Sequence, residues 1–289
     1  MRLRVASYIV AERSGKGVQT MNPNYRLFFE LEKEPFASDI EKEHILVTDS
    51  LSGVNERIHY AMRSGAVALV TGEIGSGKST ALRYVTESLH PSEHLCLYVT
   101  ATSGSILELY RQILAALGVD NRGISRALML QSIRGQVMEM TNAKKLKVLL
   151  VIDEASLLRM EVFAELHTLL QFEKDAKPFL PLVMAGQNNL IDSLSYRPAM
   201  PLASRVVARS HLQGVNLELM QQYIVHHLAI AGVKHNLFEN TAMVAIHQGS
   251  GGLFRKANHL ARGALIVACH QQSMTVSAEH VRLAATEIF

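Results

Sequence analysis

The run Gly72-Glu73-Ile74-Gly75-Ser76-Gly77-Lys78-Ser79 constrains this chain more than any other feature. It matches the pattern G-x-x-x-x-G-K-[ST] in full, and that pattern works only where a buried strand turns into a helix. Both flanks are present. Ala66-Val67-Ala68-Leu69-Val70-Thr71 is a short apolar run suited to a parallel strand covered on both faces, and a helix is expected from Lys78 to Leu89. The glycines let the backbone curl so that successive N–H groups converge on phosphate oxygens, while the helix N-terminus adds partial positive charge. The segment from Gly72 to Thr80 is therefore expected to cradle ATP. Lys78 reaches the β and γ phosphates, and Ser79 supplies a hydroxyl to Mg²⁺.

A second motif lies downstream, where Val148-Leu149-Leu150-Val151-Ile152 runs into Asp153-Glu154. A carboxylate at the end of such a strand holds Mg²⁺ through water, which gives Asp153 a metal role. Glu154 is placed to polarise an attacking water as general base, so the pair points to hydrolysis and not to binding alone. The interval between Lys78 and Asp153 leaves room for a strand (Leu95 to Val99) and two helices (Ile106 to Leu117 and Ile124 to Thr141). Beyond Glu154 the pattern gives a helix over Glu161 to Phe172, a strand over Leu180 to Ala185, a short helix near Leu190 to Leu194 and a last strand around Arg205 to Leu212. Such alternation implies a parallel sheet covered by helices. After Gly214 the strand signal stops, and Leu217 to Ala231, Glu239 to His247, Phe254 to His270 and Ala278 to Ile288 read as helices.

Composition bounds the remaining choices. The chain has 289 residues, 48% hydrophobic and 19% charged, which suits one large α/β domain or a medium domain with a smaller companion. No stretch approaches the roughly 18 apolar residues of a membrane span. The basic start (Arg2, Arg4, Arg13, Lys16) lacks the apolar run of a secretory signal, so a soluble cytoplasmic protein is expected. Residues 1 to 20 read as a loose arm, with Met21 a possible physiological start. Cys96 and Cys269 stand alone in apolar surroundings and read as reduced structural thiols. None of the 13 His lies in an H-E-x-x-H pattern, and the adjacent His226 and His227 diverge around a helix, so surface or hydrogen-bonded roles are expected. A net charge of +3 permits a polyanionic partner without pointing to one. Lys144, Lys145 and Lys147 form the clearest basic cluster, either a solvated loop before a strand or a contact for DNA phosphates.

With a strand inserted between the two motif strands, the chain resembles the AAA+ family. The resemblance implies a parallel five-stranded α/β module over residues 40 to 213, preceded by an N-terminal arm and lead-in over 1 to 39 and followed by a helical lid over 214 to 289. It assigns Gln187, at the end of Leu182-Val183-Met184-Ala185-Gly186-Gln187-Asn188, as a polar sensor of the γ-phosphate or water. It offers Arg205 or Arg209 as the arginine finger that reaches a neighbouring subunit's nucleotide. Gly252-Leu253-Phe254-Arg255 resembles the G-x-x-R of the lid, which places Arg255 over the phosphates in cis. Phe36 and Leu46 are candidates for packing on adenine.

Within AAA+ the chain is similar to the ExeA-like group, related to the transposition regulators TnsC and MuB. The similarity rests on Tyr25-Arg26-Leu27-Phe28-Phe29-Glu30-Leu31 with Glu34-Pro35-Phe36, on Thr71-Gly72-Glu73, on Ala185-Gly186-Gln187 and on Tyr223 to Gly232. Secretion-type members continue into a membrane span and a peptidoglycan-binding module, whereas this sequence ends at Phe289. The roughly forty residues ahead of the core are too few for a DNA-binding helical domain of the MuB kind. The leading expectation is an oligomeric ATPase, ring or filament, that binds duplex DNA without sequence preference and recruits or licenses a transposase, without a membrane partner. The alternatives are a secretion or envelope-assembly ATPase and a non-hydrolysing ATP-gated interaction module.

Overall fold

The computed structural model describes residues 24–119 and 125–288. The arm expected over residues 1 to 20 lies outside these, as does Ile124 at the start of one expected helix. In chain order the elements are α1 (Tyr25–Phe28), α2 (Asp49–Ser64), β1 (Val67–Gly72), α3 (Lys78–Ser88), β2 (His94–Thr100), α4 (Ile106–Ala116), α5 (Arg126–Met138) and β3 (Lys147–Asp153). There follow α6 (Met160–Leu169), β4 (Leu182–Gly186), α7 (Asn189–Ser195), α8 (Met200–Ala203), β5 (Val206–Leu212), α9 (Leu217–Ile230), α10 (Asn240–Ser250), α11 (Phe254–His270) and α12 (Ala278–Ile288).

The five strands form one sheet in the order β2-β3-β4-β1-β5, every pair parallel. β4 therefore sits between the two motif strands, and the strand from the interval between Lys78 and Asp153, β2, lies at the edge beyond β3. Parallel strands need crossover helices on both faces, which is why β1, β3 and β4 are apolar on both sides. One face packs Leu69, Leu150, Ile152 and Met184 against Leu109, Ile113, Met129 and Phe163 of α4, α5 and α6. The other packs Val70, Leu149, Val151 and Val183 against Val54 and Ile58 of α2 and Leu82 and Val85 of α3. Because all strands run the same way, their C-terminal ends share one rim, and both motifs follow from that rim.

Beyond β5 every regular helix or strand of the described residues is a helix. Their core holds Met220, Ile224, Ile246, Leu260 and Leu265, and also Phe29, Leu31 and Phe36 from the start of the described chain. Phe36 is only 2% exposed, and burying such a ring is worth about 1.5–3 kcal/mol. Arg262 of α11 fastens this lead-in by donating to the Phe36 carbonyl at 2.9 Å and by pairing with Glu34 at 3.1 Å.

Several elements differ from the sequence reading. α2 was not anticipated, although Thr48 caps it by accepting from the Leu51 N–H, Leu51, Val54, Ile58 and Ala61 form its buried stripe, and Gly65 ends it at φ 60°. α5 passes at Glu139 into a π-helical turn, Glu139–Ala143, and does not run unbroken to Thr141. α6 stops at Leu169, because the chain then tightens into a turn in which Phe172 bridges Lys177 and Glu173, Lys174 and Asp175 all take positive φ.

Candidate nucleotide-binding site

Between the sheet rim and the helical unit lies a cavity of about 470 Å³. Its floor is the loop from Ile74 to Ala81, and Glu154, Arg255, Asn258 and Arg262 stand around it. Gly75 and Gly77 take φ of 86° and 99°, left-handed values that a side chain would strain. A Cβ on Gly75 would also come within 2.8 Å of the Arg255 Cβ. The helical unit is thus seated directly on the loop, and the Arg255 N–H donates to the Gly75 carbonyl at 3.3 Å.

Lys78 is buried, and its ammonium donates to the Gly72 and Glu73 carbonyls, each at 2.8 Å. Burial pushes its pKa down and Arg255 adds to that, while Glu154 and Asp153 pull the other way. These four charges therefore share one electrostatic neighbourhood. Ser76 Oγ is buried there with no hydrogen-bond partner. A buried hydroxyl without a partner in a glycine-lined cradle is the donor set an anion would satisfy.

Asp153 ends β3, and one carboxylate oxygen accepts the Glu154 N–H at 2.8 Å. Glu154 itself sits at φ 53° and ψ 31°, a left-handed position that is uncommon for a residue with a side chain. That turn sends the Glu154 side chain into the cavity that Lys78 and Ser79 line. Local backbone strain of this kind concentrates at functional sites.

The residues singled out from sequence fall into three groups. Ile74, Gly75, Ser76, Gly77, Lys78, Ser79, Thr80, Glu154 and Arg255 line one cavity, with Phe36 and Leu46 at its apolar end. Gly72 and Glu73 supply the carbonyls that hold Lys78. Gln187 follows Gly186, the register partner of Thr71, so it stands beside the start of the loop. Its N–H donates to Ser156 Oγ at 3.3 Å, and it is not among the cavity-lining residues. Arg205 and Arg209 lie elsewhere. Arg205 precedes β5 at the opposite rim, paired with Asp175 at 2.6 Å and donating to His167 at 3.2 Å. Arg209 is exposed in mid-strand on β5, opposite Leu69. Lys144, Lys145 and Lys147 are exposed at the N-terminal end of β3, also far from the cavity rim.

The apolar end of the cavity contains one of the two histidines for which the sequence suggested surface or hydrogen-bonded roles. His226 fits the hydrogen-bonded role expected of it, with Nε2 against the His44 carbonyl at 2.7 Å. His227 does not resemble a surface histidine. It is 6% exposed, stacks on Phe36 at 5.5 Å between centroids, and lies 4.3 Å from the Tyr223 ring. Burial, helped by neighbouring His226, holds its pKa down to about 4. The folded state therefore keeps His227 neutral while the unfolded chain takes up a proton below about pH 6.5. Stability from this group is complete above pH 6.5 and falls by about 3 kcal/mol as pH drops to 4. His227→Gln should lose correspondingly less stability across that window in denaturant titrations. Equal losses in both proteins would remove the assignment.

The sheet order, the phosphate-cradling loop between β1 and α3, the acidic pair after β3 and the C-terminal helices define a P-loop AAA+ fold. A family model described as an AAA domain matches residues 61–194. General secretion pathway protein A of Aeromonas hydrophila is 29% identical over 270 residues, taking in 91% of this chain and 48% of that protein. The chain thus spans about half the length of the curated relative it matches. Among solved structures, Cdc6p from Pyrobaculum aerophilum aligns with a TM-score of 0.70 at 17% identity, over 88% of this chain and 70% of that one. Drosophila ORC bound to DNA aligns at 0.65 and 16%, over 98% and 70%. Thermotoga maritima RuvB, a Holliday junction branch migration motor, aligns at 0.53 and 17%, over 90% and 73%. At such identities these structures establish a shared fold.

No helix of the described residues is long and apolar enough to cross a membrane. Cys96 and Cys269 are not joined to each other in a disulfide. Among the described residues no group of three or more His, Cys, Asp and Glu is placed to hold a metal. A Mg²⁺ site completed by nucleotide phosphates needs only one or two carboxylates, and Asp153, with the Ser79 hydroxyl, is the candidate set expected to hold it.

Proposed function

We propose that this chain is an AAA+ ATPase of the ExeA-like group that binds Mg²⁺-ATP in the cavity, hydrolyses it, and drives assembly in a secretion or envelope system. The observation that carries the reading is the convergence of Lys78, Glu154 and Arg255 on one cleft. Lys78 exchanges its two carbonyl acceptors for phosphate oxygens, and Ser76 Oγ gains a partner. When bound, Mg²⁺ offsets charge on the phosphates. Glu154 accepts the proton of the attacking water, Gln187 helps orient that water, and Arg255 adds positive charge from the first turn of α11.

The secretion role takes its support from the relative matched over nine-tenths of this chain, which is named for secretion. That shifts weight away from the transposase reading, for which the exposed Lys144, Lys145 and Lys147 are the supporting residues. Two measurements separate the readings. Association with inner-membrane vesicles together with steady phosphate release supports the secretion role. ATP-dependent binding to long duplex DNA, weakening steeply with salt and without vesicle association, would reverse the order.

Arg205 and Arg209 stand apart from the cavity of their own chain, which suits a finger acting across a subunit interface. Arg205→Ala and Arg209→Ala should leave monomer nucleotide binding intact while lowering turnover by about 10³-fold if either is that finger. An Arg-substituted subunit mixed with a Lys78→Ala subunit should regain activity, since each lends its intact half-site. No recovery despite demonstrated co-assembly would count against both residues.

A further inference from the structure

The Asp153 carboxylate has a second anchor, one that comes from the neighbouring strand and from no motif. Tyr98 lies in β2 opposite Val151, one pleat before the pairing of Thr100 with Asp153. It therefore shares a sheet face with Asp153, and its hydroxyl donates to Asp153 Oδ2 at 2.8 Å. Asp153 is only 6% exposed, and its Oδ1 already accepts the Glu154 N–H. Each carboxylate oxygen is thus held by one donor and keeps a lone pair available. Tyr98 is 40% exposed on the edge strand β2.

We propose that Tyr98 is a positioning residue that fixes the Asp153 carboxylate for Mg²⁺ held with the nucleotide, an inference that rests on the function proposed above. The bond from Glu154 fixes one oxygen relative to the local backbone. The bond from Tyr98 fixes the other relative to β2, so the plane of the carboxylate cannot turn about its last torsion. Outer donors of this kind set the orientation of metal-binding groups, and their removal costs about 10–100-fold in metal affinity.

Tyr98→Phe keeps the ring and removes the donor. The test measures the Mg²⁺ concentration that half-saturates tight binding of a fluorescent, slowly hydrolysed ATP analogue to the full chain. In Tyr98→Phe this concentration should rise about tenfold, while affinity for the analogue in EDTA stays at the wild-type value. Asp153→Asn made in the Tyr98→Phe background should raise it less than the same change does in the wild type, because the phenol acts only through that carboxylate. An unchanged Mg²⁺ midpoint, an equal loss of affinity with and without Mg²⁺, or full additivity of the two substitutions would overturn the proposal. Failure of the underlying function would look different, since the wild-type protein itself would then show no Mg²⁺-dependent binding of the analogue.

Discussion

Lys78→Ala should abolish detectable ATP binding at millimolar nucleotide. Its ammonium makes two short hydrogen bonds within the loop and is the cation nearest the cradle's carbonyls. Charge-assisted bonds are worth about 1.5–3 kcal/mol each, so losing two at the phosphates weakens binding by about a hundredfold or more. The expected readout is the disappearance of the nucleotide-induced rise in melting temperature, which at a hundredfold excess over Kd corresponds to about 2.7 kcal/mol. Without nucleotide the variant should melt close to the wild type. The two carbonyls lose their partner, but the protein no longer desolvates a buried ammonium, and the two effects oppose each other. A variant that kept the nucleotide-induced rise would show that phosphates do not sit on this loop.

Glu154→Gln should instead preserve binding and lower turnover by about 10²–10⁴-fold. The amide has the same shape and tolerates the same left-handed backbone at φ 53°, but it cannot take up the proton of an attacking water. Steady-state phosphate release and equilibrium binding, measured on one preparation, give the contrast with Lys78→Ala: one variant is blind to nucleotide, the other holds it. Wild-type phosphate release from Glu154→Gln would remove the general-base role and assign the activation of water to another group.

The parts of this architecture that were legible from sequence are those whose signal is local. β1 and β3 announce themselves as apolar runs stopped by Gly72 and by Asp153-Glu154, and α11 and α12 have the boundaries their apolar periodicity implies. The loop chemistry followed from a motif whose spacing encodes backbone curvature. α2 also carried local signals, the Thr48 cap and the Gly65 stop, but they lie ahead of the first strand and were not joined into a helix. Phe29 and Phe36 are a different case. Nothing nearby in sequence says that these rings pack on helices that begin after residue 216, since that depends on where the two ends of the described chain meet. Tyr98 was hidden for a similar reason, because its role appears only once the β2–β3 register sets it one pleat from Asp153. His227 was read by residue type, and residue type does not report that a ring is walled in by Phe36 and Tyr223.

The packing of the lead-in onto the C-terminal helices has a mechanical consequence. Phe36 is embedded in one body and α2 in the other, so the backbone must cross the cleft between them, and it crosses again from Leu212 to Leu217. Two covalent straps therefore join the jaws. The first lines the cavity with Ala37, Ile40, Ile45 and Leu46, and the second lines it with Gln213 and Val215. A jaw hung on two straps has its swing restricted to rotations about the line through both, and a ligand wedged between them bears on both at once.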